Sequence, residues 1–189
     1  MSRFLRPFCA LLLGALLFTS LARAAMPGVA DRLLAGMEQA TFIAEGHGSR
    51  VLWIFFDPNC PYCHKVYERL RPWVGKDNLQ FRWVPVGMLT STSEGKAAAL
   101  LQAKDRLAAL HQSESDFNFS AQGPGGGIAP ATRIAGKTRM DLQANLSLLQ
   151  GENINGVPLL LFRRRDGSGR LFIGAPTPAQ LAEMLRDVR

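Results

Sequence analysis

The chain has 189 residues and 20.7 kDa, with 47% hydrophobic and 20% charged residues, 22 Lys+Arg against 15 Asp+Glu, and three cysteines. This composition excludes a disordered, collagenous or multiply disulfide-stapled chain and fits one globular domain, or a small domain carrying an insertion. The +7 excess is mild; the one dense basic run, Arg163-Arg164-Arg165, stands before a turn, so the charge speaks for solubility rather than for nucleic-acid binding.

Arg3 and Arg6 precede an apolar run over residues 8–18, and Ala22-Arg23-Ala24 supplies the small-x-small pattern of a peptidase site, so residues 1–24 read as a secretory signal peptide. The run is shorter than the ~20 residues that cross a bilayer, no later stretch exceeds it, and the mature chain is expected to be soluble. Cleavage would remove Arg3, Arg6 and Arg23 but no acid, and the formal charge would fall to +4. Cys9 leaves with the signal. The pair that remains, Cys60 and Cys63, is spaced C-x-x-C in a chain bound for an oxidising compartment, where unpaired thiols persist only if something keeps them reduced.

Residues 25–50 form a short leader, in which Val29, Leu33, Leu34 and Met37 recur at helical spacing and a β-prone segment over 41–44 follows. Val51-Leu52-Trp53-Ile54-Phe55-Phe56 is apolar at every position and stops at Asp57-Pro58-Asn59, the pattern of a strand buried on both faces of a sheet. A helix is predicted from Cys60, with Asn59 as its cap, Pro61 in its first turn and Val66, Tyr67 and Leu70 on its inner face. Leu79, Phe81 and Trp83 then alternate with Gln80 and Arg82 as a second strand, parallel to the first in a βαβ unit. Over 93–112 a single helix is predicted, capped by Ser93, with Leu100, Ala103, Leu107 and Leu110 on one side. Gly123-Pro124-Gly125-Gly126-Gly127 reads as a flexible surface excursion. Leu142, Leu146 and Leu149 predict a helix ending at Gly151. Strands follow over 157–162 and 171–173 as a hairpin, and Thr177-Pro178 starts a closing helix with Leu181, Met184, Leu185 and Val188. The order is β-α-β, a helical stretch, then β-β-α: an α/β domain without internal repeats.

The chemistry centres on Cys60-Pro61-Tyr62-Cys63. Side chains three apart on a helix lie ~5–6 Å apart, and relaxation at a helix end brings two thiols into disulfide reach. Cys60, at the helix N-terminus, has unpaired N–H groups and the helix dipole to stabilise a thiolate, which lowers such pKa values from ~8.5 toward ~3.5–7 and makes it the nucleophile. Cys63, one turn further in and expected to be more buried, is the resolving thiol. A purely structural disulfide is a weak reading, because bridging i to i+3 constrains the unfolded chain little. Since His64 follows, the string also reads C-x-x-C-H, the attachment pattern of c-type haem, with Cys60 and Cys63 as thioether anchors and His64 as axial ligand; a fully buried strand before the motif and a proline inside it argue against that alternative. Zinc would need four ligands, and His47, His64 and His111 stand at no zinc spacing. Neither metal nor cofactor is expected. His64 is expected as an exposed helix residue with a secondary chance of tuning the thiolate, Asp57 as a turn residue that assists proton movement at most, and Tyr62 as part of the substrate surface.

Three segments then resemble one family: Phe56-Asp57-Pro58-Asn59-Cys60-Pro61-Tyr62-Cys63-His64-Lys65, Arg82-Trp83-Val84-Pro85-Val86-Gly87, and Val157-Pro158 before a strand. Together they resemble the DsbC/DsbG family of periplasmic thiol-disulfide oxidoreductases, the Pro61-Tyr62 dipeptide lying nearer DsbG. The resemblance implies a thioredoxin fold over 51–189 with a helical insertion at about 87–150, Cys60 attacking, Cys63 resolving, and Pro158 as a cis-proline that turns the Val157 backbone toward an extended substrate segment, with Pro61 and Tyr62 beside it. It implies disulfide reductase or isomerase activity on periplasmic client proteins with disulfides or oxidised cysteines, and a membrane reductase of the DsbD type as electron donor. Val157 replaces the threonine usual at that family position, which removes a hydroxyl beside the thiols. The leader is too short for the family's N-terminal dimerisation domain, so a monomer or weak dimer is expected.

Overall fold

The computed structural model describes residues 28–120 and 123–189; the signal-peptide reading of 1–24 lies outside them. The fully apolar run becomes β2 (Arg50–Phe56), the middle strand of a five-stranded sheet. Its pattern has a direct cause. Leu52, Ile54 and Phe56 face one buried cluster, Trp53 and Phe55 face another, and four of these five are no more than 1% exposed. Parallel to β2 runs β3 (Leu79–Pro85), in register from Arg50↔Leu79 to Phe56↔Pro85. On the other side, β4 (Leu159–Arg163) and β5 (Gly169–Ile173) form the expected antiparallel hairpin, and β1 (Ile43–Glu45) closes the far edge against β3. The order is β1-β3-β2-β4-β5.

Helices cover both faces. The predicted leader helix is α1 (Val29–Gly36), packed with α5 (Gly136–Gly151) on the Trp53/Phe55 side; α2 (Pro61–Leu70) and α6 (Pro178–Asp187) lie on the opposite side. Thr177 and Gln180 close α6 with a capping box, and Pro178 opens it, as the sequence predicts.

Two expectations between β3 and β4 are corrected. The single helix over 93–112 is two, α3 (Ser93–Gln102) and α4 (Arg106–Ser115). The chain turns extended at Ala103 (φ −63°, ψ 142°), and Asp105 caps α4 by accepting from the Ala108 N–H at 2.9 Å. Apolar spacing runs unbroken across that cap, so periodicity alone hides it. The glycine run, for its part, is pinned rather than a loose excursion. Gly126 N–H donates to the Pro58 carbonyl at 2.7 Å, Gly127 N–H to that of Ser113 at 2.8 Å, and Asn118 and Gly125 exchange backbone bonds of 2.8 and 2.9 Å. Gly125 and Gly126 are buried. A Cβ on Gly125 would collide with Asn59 Oδ1 and Lys96 Nζ, and one on Gly126 with Ser113 Oγ and the Pro58 carbonyl. These glycines serve close backbone approach to the turn that carries the cysteines.

Candidate active site

That turn leaves the end of the middle strand, and α2 begins one residue after Cys60. The cap is Cys60 itself, not Asn59: the Cys63 N–H donates to Cys60 Sγ at 3.2 Å, with Pro61 in the first turn. Asn59 is drawn elsewhere. Its Nδ2 lies 2.7 Å from Thr90 Oγ1, 2.9 Å from Thr92 Oγ1 and 3.2 Å from Ser93 Oγ. Ser93, expected as a helix cap, turns its hydroxyl inward and donates to Asp57 Oδ1 at 2.8 Å.

Asp57 is 1% exposed and accepts four hydrogen bonds, from Ser93 Oγ, from the Asn59 N–H (2.8 Å), and from the Met88 and Leu89 N–H groups (2.8 and 3.0 Å). A carboxylate with its lone pairs so occupied fastens the segment after β3 to the cysteine turn. The anchor explains why this buried acid needs no cationic partner.

The two thiols are reduced and nearly equal in exposure, 3% for Cys60 and 2% for Cys63. Cys63 is the deeper of the two, as expected, and burial is the leading influence on it; the sharper contrast lies in electrostatics. The Cys63 thiol and then the backbone N–H groups of Cys63 and Tyr62 hold the Cys60 pKa below its ordinary value, against the opposing effect of burial. Burial, followed by the neighbouring Cys60, pushes Cys63 well above its ordinary value. Cys60 Sγ stands 3.7 Å from the Val157 carbonyl, and the Val157–Pro158 peptide is cis. Tyr62 is 57% exposed, its ring 5.0 Å from Lys65 Nζ. The cap and first turn of α2, with Cys60, Pro61, Tyr62 and Cys63, thus meet the Val157–Pro158 segment that leads into β4.

His64 does not join them. It is buried, not exposed as expected, and points toward α4: Nδ1 lies 2.9 Å from Glu114 Oε2, Nε2 lies 3.6 Å from Glu68 Oε1, and the ring stacks on Phe117 at 4.4 Å. Glu114, only 3% exposed, is a residue that local sequence does not single out, because its partner is 50 positions away. A second buried acid was likewise missed. Glu45 is held by Arg71, by Trp83 Nε1 at 3.0 Å and by His111 Nε2 at 2.9 Å; burial would raise its pKa, yet these bonds keep it below the ordinary value. This network ties β1, β3, α4 and the segment after α2 behind the site.

The c-haem alternative needs both thiols open on one face and His64 free to reach iron. Cys63 is enclosed and the His64 ring is engaged on Glu114 and Phe117, so these residues do not fit that group. Among the described residues no three His, Cys, Asp or Glu side chains are grouped so as to hold a metal ion.

Known proteins agree with the fold. Residues 37–189 match the thioredoxin-like domain family. The chain is 37% identical over 151 residues to the thiol:disulfide interchange protein DsbG of Pseudomonas aeruginosa, covering 79% of this chain and 57% of that protein. Against DsbG of Escherichia coli it is 26% identical over 142 residues, covering 74% and 55%. It therefore spans little more than half the length of these two relatives. A periplasmic thioredoxin-like protein from Salmonella enterica serovar Typhimurium superposes with a TM-score of 0.60 at 17% identity, over 86% of this chain and 97% of that one. The thiol-disulfide exchange protein α-DsbA2 of Wolbachia pipientis gives 0.62 at 16%, over 84% and 94%. The resemblance carried by the three sequence segments points to the same relatives. With a central β-α-β unit, an antiparallel hairpin, a cis-proline facing a C-x-x-C helix start and a family match over most of its length, the chain belongs to the thioredoxin-like domain family.

Proposed function

We propose that this chain is an exported thiol-disulfide oxidoreductase acting on cysteines of periplasmic proteins, as a disulfide reductase or isomerase. The observation that carries the reading is the Cys63 N–H directed at Cys60 Sγ at 3.2 Å, joined to opposite pKa displacements of the two thiols. Cys60 is the nucleophile. Its thiolate attacks one sulfur of a client disulfide, a Cys60–client S–S bond forms as the client bond breaks, and the departing client thiolate takes up a proton. Cys63 then loses its proton and attacks Cys60 Sγ, which frees the second client thiol and leaves the Cys60–Cys63 disulfide. An external dithiol returns the pair to its reduced form; by resemblance this is a membrane reductase of the DsbD type.

The main chain of Val157, beside Cys60, offers an edge along which an extended client segment pairs, with Pro158, Pro61 and exposed Tyr62 flanking it. All of these groups come from one chain, so the exchange step runs in a monomer or weak dimer. His64 and Asp57 act through position: one seats α2 on α4, and the other fixes the turn. Trapping tests the assignment. Cys63→Ala is expected to accumulate mixed disulfides with client proteins and Cys60→Ala to accumulate none; equal behaviour removes the assigned roles.

A further inference from the structure

The glycine segment that packs on the cysteine turn also walls a pocket of about 630 Å³, lined by Asn59, Thr90, Thr92, Lys96, Asp116 and Gly125 among others. Asn59, in the pocket wall, directly precedes Cys60, so the pocket adjoins the turn that carries the nucleophile. Lys96, on α3, is half-buried. Its Nζ donates to the Gly126 carbonyl at 2.8 Å and forms no ion pair among the described residues. An ammonium has three donors, so two remain for the pocket. Asp116 also lines the pocket, but it is exposed and forms no ion pair with Lys96 among the described residues. Asp57 is the acid whose field reaches Lys96, and its oxygens are already committed to four other donors. Burial pushes the Lys96 pKa down, as expected of a desolvated cation lacking a contacting counter-charge. Glycine at 125 keeps the space around this ammonium clear, since a Cβ there would meet Nζ.

We propose that this pocket is a specificity subsite in which Lys96 pairs with a carboxylate side chain of the client a few residues from the attacked cysteine. The inference rests on the exchange reaction proposed above and names the sequences it favours. A carboxylate would supply the contacting counter-charge that Lys96 lacks, while Thr90 and Thr92 add hydroxyls along the same wall.

The test uses the reduced protein and four disulfide-linked peptides that differ only in carrying Glu, Gln, Ala or Lys two or three residues from the cysteine. The second-order rate constant is read in a single turnover. Wild type is expected to favour Glu over Ala by about fivefold, as a partly screened ion pair allows, with the preference shrinking as salt rises. Lys96→Arg should retain the preference, Lys96→Ala lose it, and Lys96→Glu turn it toward the Lys peptide. A Glu/Ala ratio unchanged in Lys96→Ala, or a wild type that favours the Lys peptide through Asp116, overturns the proposal. Exchange of all four peptides at equal rates removes the subsite alone; exchange of none removes the underlying reaction.

Discussion

His64 Nδ1 and Glu114 Oε2 meet at 2.9 Å where α2 faces the last turn of α4, fastening the helix that bears both thiols to the helical stretch between β3 and β4. The bond to Glu114 raises the His64 pKa above its ordinary 6.5, with burial opposing and Glu68 assisting. Burial raises Glu114 above 4.5, with His64 and Arg71 opposing. Both displacements have the same sign: the folded state holds more protons than the unfolded one, so the pair's contribution is complete below the unfolded values and is lost as pH rises through the folded ones. Glu114→Gln keeps an acceptor for His64 but removes its charge, and is therefore expected to lower stability at pH ~5.5 by about 1–3 kcal/mol, the scale of a hydrogen bond between charged groups. The gap should narrow toward pH ~8.5. Denaturant melts of both proteins across that range check it, and a gap that widens with pH contradicts the assignment.

The opposed displacements of the two thiols give a second expectation. Cys60 lies below its ordinary 9.0 and Cys63 well above it. Limiting iodoacetamide at pH ~6.5 should modify Cys60 in the native reduced protein and leave Cys63 untouched until the chain unfolds, because the thiolate is the reacting species. The midpoint of the Cys60 alkylation rate against pH should fall below 9.0, since its pKa lies under the ordinary value. Because the folded pKa is depressed, the thiolate stabilises the reduced fold at high pH, and that contribution is lost as pH falls through the folded value. Peptide mapping after a timed quench reads both sites; equal labelling would place the activation elsewhere.

The strands, the helix start and the thiol pair were legible in the sequence because each is written in neighbouring residues: an unbroken apolar run, a proline in a first turn, a fixed spacing. The grouping of Val157 and Pro158 with the cysteines came from resemblance, since they lie nearly a hundred positions away. What stayed hidden depends on contacts between distant segments. Asn59 looks like a helix cap until Thr90, Thr92 and Ser93 compete for its amide. His64 looks like a surface residue until α4 brings Glu114 to it. Glycines read as freedom wherever backbone entropy is the only consideration, and here they serve close packing instead.

Asp57 carries a third expectation. Its oxygens accept from three backbone N–H groups and one hydroxyl, all inside the fold. Asp57→Asn keeps the shape but replaces one acceptor oxygen by an NH2 that faces donors, so at least one buried N–H loses its partner, at about 1–3 kcal/mol each. The Met88–Leu89 segment should loosen first. Amide exchange at Met88 and Leu89 that speeds up in Asp57→Asn, while β2 amides remain protected, supports the anchoring role; uniform protection identical to wild type opposes it.

Gly126 and Gly136 separate the two reasons a chain keeps a glycine. At Gly126 an added Cβ meets Ser113 Oγ and the Pro58 carbonyl, and the neighbouring backbone bond to Pro58 leaves little room to retreat. Overpacking of this kind costs about 1–3 kcal/mol, and Gly126→Ala should also disturb the cysteine turn, seen as a changed Cys60 alkylation rate. Gly136 opens α5 with nothing within 4 Å of its would-be Cβ. There alanine restricts the unfolded chain and favours helix, so Gly136→Ala should be neutral or stabilising by up to about 1 kcal/mol, with Cys60 reactivity unchanged. If the two substitutions prove equally tolerated, the glycine segment is not held against the turn by packing, and the pocket it walls loses its support.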